Sequence, residues 1–579
     1  MTLVGAERTA SRGGPRRPAR LAWVPGLTLF LMLGPVAAGL LFTLLPAIGY
    51  MPSVGATTLG LAPFGMVFDW PGLPQAARLS VTTGLLATSL ALAVTVLLVA
   101  GLAGTRAFRL IERLLSPLLS VPHAAAAFGL AFLIAPSGWL VRSVSPWATG
   151  WEQPPDLLIL QDPWGLSLVA GLVAKEVPFL LLMTLAALPQ AQADARLTVA
   201  RSLGYGRVNG WLKAVFPAVY AQIRLPVYVV LAYSMSVVDV AMILGPNTPP
   251  TLSVQILRWM NDPDLTMRQC AAAAALLQLA LVLGALLLWR LGERALARFG
   301  RRRIAAGRRG LSIDPLARGA GLALGAGSAL AVLLGLVALG VWSLAARWSY
   351  PDLLPEGFTL RSWMRHGSTL ADTGTQTILI AVIATALALV LTIGCLESET
   401  RRGARPGQGA LLLLYLPLLI PQAAFLPGLQ FFLLGIGGAE GVLPVIAAHL
   451  VFVLPYVFLS LSDPWRAWDR RYAVVAGSLG AGPAGVLWRV RLPMLLRAVL
   501  TAAAVGMAVS VGQYLPTLLI GGGRVGTLTT EAVALAAGGD RRAIGVFGIL
   551  QTLLALLPFG LALAIPALVF RNRRGLRHG

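Results

Sequence analysis

Lysine is almost missing from this chain of 579 residues: Lys175 and Lys213 are its only two. Neither follows a glycine-rich phosphate loop, so the chain has no usual means of cradling nucleotide phosphates. Cysteine is equally scarce. Cys270 and Cys395 lie in or at the edge of apolar stretches and offer neither a disulfide framework nor zinc-ligand spacing. Charged residues make up 12% of the chain, against about 25% in a soluble domain. The sequence contains no HExxH, no paired-acid loop motif and no catalytic triad pattern, so nothing in it supports an enzyme. Two of the four histidines, His123 beside Pro122 and His449 ahead of Pro455, stand alone and read as packing residues.

What is abundant is apolar: 57% of residues, arranged in long blocks such as 21–45 and 85–104. A run of roughly 20 apolar residues crosses a bilayer as a helix, because only a helix satisfies its own backbone there. The net charge of +23 raises the question of nucleic acid, but its distribution answers it. Arginines collect in alternate gaps: Arg8, Arg12, Arg16, Arg17 and Arg20, then Arg106, Arg109 and Arg113, then the stretch 290–318 with Arg301, Arg302 and Arg303. The gap 46–77 has none. That alternation is the positive-inside pattern of a multi-pass membrane protein, and no nucleic-acid partner is expected. The basic N-terminus precedes an apolar stretch too long for a signal peptide, so it reads as a retained first span.

Twelve spans are expected, near 21–45, 80–104, 114–135, 165–188, 222–244 and 267–290, then 319–345, 372–395, 409–435, 443–462, 497–520 and 544–570. Both termini fall in the cytoplasm, the last carrying Arg571, Arg573, Arg574 and Arg577. The chain also repeats itself. ARSLGYGRVNGWLKAVFP at 200–217 returns 276 residues later as AGSLGAGPAGVLWRVRLP at 476–493, with Ala, Ser-Leu-Gly, the second Gly and the final Pro in register. At the same offset Ser234 falls on Ser510, Gly245 on Gly521, and Thr251-Leu252 on Thr527-Leu528. PHAAAAFGL (122–130) matches PQAAFLPGL (421–429). A repeat of this kind constrains architecture. The fold expected is all-α, in two parallel pseudo-symmetric six-helix halves at 21–290 and 319–570. A basic tail at 1–20, an arginine-rich linker at 291–318 and a basic tail at 571–579 complete the chain. The linker reads as topogenic charge attracted to anionic lipid.

Each copy of the repeated stretch lies between the fourth and fifth spans of its half. Gly204 and Gly206, like Gly480 and Gly482, allow a sharp turn with positive φ. A short helix along the membrane surface follows, ending at Pro217 or Pro493. Its basic and aromatic side chains, Trp211 and Lys213 or Trp488 and Arg489, are expected to face the cytoplasm or the headgroups.

These residues resemble the membrane subunits of binding-protein-dependent ABC importers, whose cytoplasmic loop reads EAA, three residues, Gly, nine residues, Ile-x-Leu-Pro. Gly204 and Gly480 take the glycine position, and Ala200 and Ala476 the second alanine. Leu492-Pro493 matches the ending and Phe216-Pro217 only its proline. Thr198 and Val474 stand where the family has glutamate. The tandem arrangement looks most like the fused permeases of thiamine and ferric-iron uptake (type I importer fold). The resemblance implies that 204–213 and 480–489, with Tyr205 and Ala481 between the paired glycines, are coupling helices docking on a dimeric cytoplasmic ATPase. ATP and magnesium would then be bound by that partner, and this chain would hold no cofactor. A periplasmic or surface binding protein would deliver a small solute to a multi-pass protein of the bacterial inner membrane.

Ionisable residues inside spans usually face the protein interior with a partner. Lys175 and Glu176 are neighbours in the fourth span and point to different sides; Asp239 is a candidate partner for Lys175. Either they line a polar translocation path or they fix packing as an interhelical ion pair. Ser234, Ser236 and Asp239, with Ser510, Gln513 and Tyr514, line the central interface if the fifth helices face each other. In register, Asp239 lies opposite Leu515. The rival architecture is a twelve-helix secondary transporter, which also has parallel repeats, but its usual Asp-Arg-Gly-rich loop is absent from GTRAFRLIERL (104–114). A non-transporting scaffold has no need of the duplicated loop. The substrate is not readable from the sequence.

Overall fold

The computed structural model describes residues 21–305, 314–403, 407–438 and 441–571. The basic stretches at 1–20 and 572–579 and the linker arginines Arg308 and Arg309 lie outside the described residues.

The chain is an all-α, polytopic membrane protein. Among the described residues ten helices are long and apolar enough to cross a membrane, or up to twelve if each of two sharply bent pairs is one span. The helices that matter below are, in chain order, α1 (Val24–Ala47), α2 (Leu73–Leu102), α3 (Arg106–Leu118), α4 (His123–Ile134) and α5 (Leu166–Gln190). Then come α6 (Ala193–Ser202), α7 (Arg207–Ser236), α8 (Asp239–Leu244), α9 (Leu252–Met260), α10 (Met267–Ala305) and α11 (Asp314–Leu344). The remainder are α12 (Gly367–Arg402), α13 (Gln408–Leu419), α14 (Gln422–Gly435), α15 (Val442–Ala467), α16 (Arg471–Ser478), α17 (Pro483–Met494), α18 (Leu496–Val511), α19 (Leu515–Gly521), α20 (Leu528–Ala536) and α21 (Arg541–Val569).

Several spans differ from the hydropathy expectation, each for a local reason. The third was expected at 114–135; instead α3 is a separate amphipathic helix, and the apolar span runs over His123–Val144. Its ninth counterpart, expected unbroken at 409–435, bends by 88° ahead of Pro421, where the residue before proline leaves the helical region. The fifth span, expected to reach 244, stops at Ser236 because Val237 is extended; α8 then starts afresh at Asp239. Likewise the eleventh stops at Val511 and resumes at Leu515. α10 has 39 residues, about 58 Å of helix, so it outruns a hydrocarbon core of about 30 Å. Its last turns carry Arg294, Arg298, Arg301, Arg302 and Arg303, all exposed to solvent, with the Arg303 guanidinium over the Phe299 ring at 5.1 Å.

The matched sequence features mark matched geometry. Leu252 N donates to Ser80 Oγ (3.0 Å), and Leu528 N donates to Thr377 Oγ1 (3.0 Å), so α9 and α20 start against α2 and α12 in the same way. The glycines of the 122–130 and 421–429 repeat sit at helix crossings. α11 packs on α4 and α1 packs on α14. A Cβ on Gly129 would lie 2.6 Å from the Gly335 carbonyl carbon, and one on Gly428 would collide with the Gly39 carbonyl. Only glycine permits backbones this close. Gly428 N also donates to Thr43 Oγ1 (3.1 Å). The first helix of each set of six therefore packs against the other set.

Candidate functional site

The two repeated loops share a backbone. Gly204 and Gly480 both have φ +83°, a conformation that L-residues with a Cβ rarely adopt. Each turn is closed by the same hydrogen bond: Tyr205 N donates to Ala200 O (3.2 Å) and Ala481 N to Ala476 O (2.9 Å). Gly206 and Gly482 are both extended and start the next helix. Ahead of Pro217 and Pro493, which bring no N–H, both helices widen into a π turn, at Trp211–Val215 and Val486–Arg491. Such turns are rare and recur at functional sites.

The loops also present equivalent apolar side chains to solvent. Val199 and Leu203 are 60% and 57% exposed, and their counterparts Val475 and Leu479 are 58% and 82% exposed. Beside the first pair lies a cleft of about 590 Å³ lined by residues of α6, α7 and the turn between them, including Arg196, Tyr205 and Lys213, and by Ile304 at the end of α10. Lys213 Nζ sits over the Tyr205 ring at 4.7 Å.

Beyond the turn the copies diverge. The surface helix expected at 204–213 is not separate: α7 runs from Arg207 through Pro217 to Ser236 without a sharp bend. α17 is separate, joined to α18 through a 76° bend. Trp211 is buried in the core and does not face the cytoplasm or headgroups, because its place in the repeat is that of Leu487, also buried. Trp488, one position on, is 69% exposed, and Arg489 beside it is exposed too.

Each loop has its own anchor. Asp314 Oδ2 accepts Val208 N (3.1 Å), and a Cβ on Gly206 would stand 2.7 Å from that oxygen, whereas Gly482 has open space around it. Arg207 donates to the carbonyls of Ala100 and Ala103 at the end of α2. In the second loop Arg491 is buried and pairs with buried Glu397 of α12 at 2.7 Å. Arg401 holds the other Glu397 oxygen (2.7 Å), and the Arg491 guanidinium stacks on Trp468 (4.3 Å) and Trp465 (5.2 Å). Sequence reasoning missed Arg491, Glu397 and Asp314. Arg491 has Val215 as its counterpart, so the repeat gave no signal; the only hint was an acid at the end of one span and two tryptophans at the end of another.

Inside the bundle the expected pairing of Lys175 with Asp239 does not form. Lys175 Nζ donates to the carbonyls of Leu118 (2.8 Å), Val121 (2.6 Å) and Leu119 (3.4 Å), satisfying the free end of α3. Glu176 faces His123, with Oε1 3.5 Å from Nε2, so His123 is more than packing. Its ring lies 4.9 Å from Tyr233. Asp239 opens α8, as Leu515 opens α19. Tyr514 Oη reaches Met242 Sδ of α8 at 3.6 Å, and Gln422 donates to Gln513 at 3.4 Å. The fifth span packs on α13.

Two of the expected path residues are engaged elsewhere. Ser236 donates back to Ala232 O (2.7 Å), and Ser510 bonds His449 Nδ1 (2.8 Å), while Thr517 bonds His449 Nε2 (2.9 Å). His449 thereby clamps α18 and α19 across their break. Ser234, the counterpart of Ser510, is buried with no hydrogen-bond partner among the described residues. At one end of the bundle Asp162 holds the start of α5, accepting from Trp164 N, Leu166 N, Ser167 N and Ser167 Oγ at 2.9–3.1 Å. Burial pushes this carboxyl up, but these donors outweigh it and hold the group below the ordinary carboxylate value.

The comparisons agree with this architecture. Residues 384–573 match the family described as binding-protein-dependent transport system inner membrane component. The chain is 31% identical over 561 residues to the inner membrane ABC transporter permease protein YnjC of Escherichia coli K12, covering 94% of this chain and 100% of that protein. It is 30% identical over 191 residues to the molybdenum transport system permease protein ModB of Mycobacterium bovis, covering 29% of this chain and 70% of the relative. It is also 29% identical over 182 residues to a putative 2-aminoethylphosphonate transport system permease protein, PhnV, of Salmonella typhimurium, covering 31% and 68%.

Proposed function

This chain belongs to the inner-membrane permease family of binding-protein-dependent ABC transporters, and we propose that it is a fused, two-half permease importing a small solute. The tandem arrangement is that of the thiamine and ferric-iron permeases it resembles. The names of its relatives span a molybdenum system and a 2-aminoethylphosphonate system, so no substrate is inherited from them. A solute-binding protein presents the solute on the outer face. ATP and magnesium are bound by two ATPase subunits on the cytoplasmic face, and the loops at 204–213 and 480–489 are their docking points.

The observation that carries this reading is the repeated loop: one left-handed glycine and two exposed apolar residues at equivalent positions in each copy. Exposed, adjacent apolar side chains at the end of a membrane bundle are what a partner covers. Docked there, a closing ATPase dimer pushes both loops. The first push travels along the unbroken α7 to its end at Ser236, next to Asp239. The second cannot follow a helix across the 76° bend after Met494, and Arg491 instead delivers it to α12 through Glu397. The missing EAA glutamate is compatible with this reading, because both loops are held by groups outside the motif.

Cysteines introduced at Tyr205 and Ala481 test it. Each is expected to cross-link to a co-expressed ATPase, with a yield that changes on ATP addition. Replacing Gly204 or Gly480 with valine should leave insertion intact and abolish ATP-driven uptake. Normal uptake by both valine variants, with no cross-link from either cysteine, would favour a secondary transporter.

A further inference from the structure

α7 and α10 pack on each other in opposite directions and are tied together at two places. Toward the loop end of α7, Tyr220 Oη donates to Glu293 Oε1 (2.7 Å) and accepts from Trp289 Nε1 (2.9 Å). The other carboxylate oxygen, Glu293 Oε2, lies 2.6 Å from Arg290 Nη1 and 3.3 Å from Arg224 Nε. At the far end Gln278 Nε2, fully buried, donates to Met235 O (2.9 Å), just ahead of the break at Val237. The two ties match in spacing. Tyr220 and Met235 on α7 are as far apart as Glu293 and Gln278 on α10, about 22 Å along each axis. Helices fastened at both ends of one length neither slide nor splay, and hydrogen bonds to an ionised group are the stronger kind.

The second half keeps one tie and lacks the other. Gln551 Nε2 donates to Thr529 Oγ1 (2.6 Å), which donates to Val511 O (2.5 Å), the counterpart of Met235 O. The glutamine tie therefore belongs to the shared fold. The carboxylate tie does not: α21 contains no acid, and Leu496 and Leu500 stand where α7 has Tyr220 and Arg224. Glu293 is the one acid of α10, and its side chain is 10% exposed. The difference coincides with how each loop joins its span. α7 continues from the first loop without a sharp bend, whereas α17 meets α18 at 76°. A tie between the fifth and sixth spans passes on the motion of a loop only where the loop's own helix continues into the fifth.

We infer that Glu293 is a positioning residue that joins α7 and α10 into one strut, so that displacement of the first loop moves two spans together. The second loop has no such strut and acts on α12 through Arg491 and Glu397. The strut also fixes the cleft beside the first loop, because Ile304 on one wall belongs to α10 while Tyr205 and Lys213 belong to the loop and α7. Holding α10 to α7 keeps those walls in register while the loop is pushed. The inference rests on the reading of the loops as docking points for an ATPase, and it names the residue that passes the motion of one of them onward.

The test follows each helix separately in the full-length chain assembled with its co-expressed ATPase, in a Cys270→Ala, Cys395→Ala background. Spin labels at Gln222→Cys on α7 and Leu296→Cys on α10 are each paired with one at Trp147→Cys; all three sites are exposed. Pulsed EPR gives both distances with and without ATP. With Glu293 in place, both distances are expected to change on ATP addition. In Glu293→Gln and in Tyr220→Phe the α7 change should persist while the α10 change falls about twofold or more, as for bodies no longer moving rigidly together. A merely structural role would lower the melting midpoint and leave the two changes in proportion, and that result overturns the inference. An α7 change with no α10 change while Glu293 is in place overturns it and leaves the docking reading standing. No change in either distance removes the docking reading and this inference with it. If Glu293→Gln does not fold, Tyr220→Phe, which loses a single hydroxyl, decides alone.

Discussion

Gly480 and Gly482 stand two residues apart in one loop, and they should respond oppositely to the same substitution. Nothing lies within 4 Å of a Cβ built on either glycine, so sterics with neighbours do not separate them. Their backbones do. Gly480 sits at φ +83° and Gly482 at φ −70°. Alanine at the first must hold a left-handed conformation, at a cost of about 1–2 kcal/mol. Alanine at the second fits its backbone and narrows the unfolded ensemble, a gain of about 0.4–1 kcal/mol. If docking requires the turn, one to two kcal/mol removes the competent loop by roughly 5–30-fold. Uptake driven by ATP in proteoliposomes carrying the ATPase should fall by that order in Gly480→Ala and hold in Gly482→Ala. Asn tolerates φ above zero better than other residues, so Gly480→Asn should recover part of the loss. Equal impairment by Gly480→Ala and Gly482→Ala would refute the backbone explanation.

Arg491→Met should uncouple ATP hydrolysis from uptake while the first loop still docks. Removing one partner of a buried pair also destabilises by about 3–5 kcal/mol, so Arg491→Lys, which keeps a cation beside Glu397, serves as the conservative comparison, read as uptake per ATP hydrolysed. Gly206→Ala should weaken the first loop by displacing Asp314, whereas its counterpart Gly482→Ala meets nothing; limited proteolysis around residue 206 reports the difference. Gly335→Ala pushes a methyl to within 2.7 Å of the Gly129 backbone, and overpacking of this kind costs about 1–3 kcal/mol, visible as a lower melting midpoint in detergent. Asp162 has a lowered carboxyl pKa, so its stabilisation is complete above the unfolded value near pH 4 and fades as pH falls through the folded value. The melting advantage of wild type over Asp162→Asn should therefore be full at neutral pH and shrink in acid; an advantage that grows in acid would contradict the hydrogen-bond account.

Hydropathy alone determined that this chain is all-helical and crosses a membrane many times, because a bilayer admits few other solutions for an apolar backbone. The repeat of Ala, Gly and Pro at 200–217 and 476–493 located two equivalent loops, since a left-handed turn strongly favours glycine. The match of 122–130 to 421–429 marked positions where only a missing side chain allows contact, though not what they contact. Tertiary structure decided the rest. That α1 lies on α14 and α11 on α4 depends on which glycine backbones meet across more than 200 residues, and no local pattern carries that. The partner of Lys175 proved to be three carbonyls, which have no sequence signature at all. The break at Val237 escaped hydropathy because the extended residue between two apolar helices is itself apolar, and the one at Gly512 because Gly512, Gln513 and Tyr514 are too few to interrupt an apolar run. Arg491 became an anchor, and Arg489 stayed in solvent, through a rotation of two positions around one π turn.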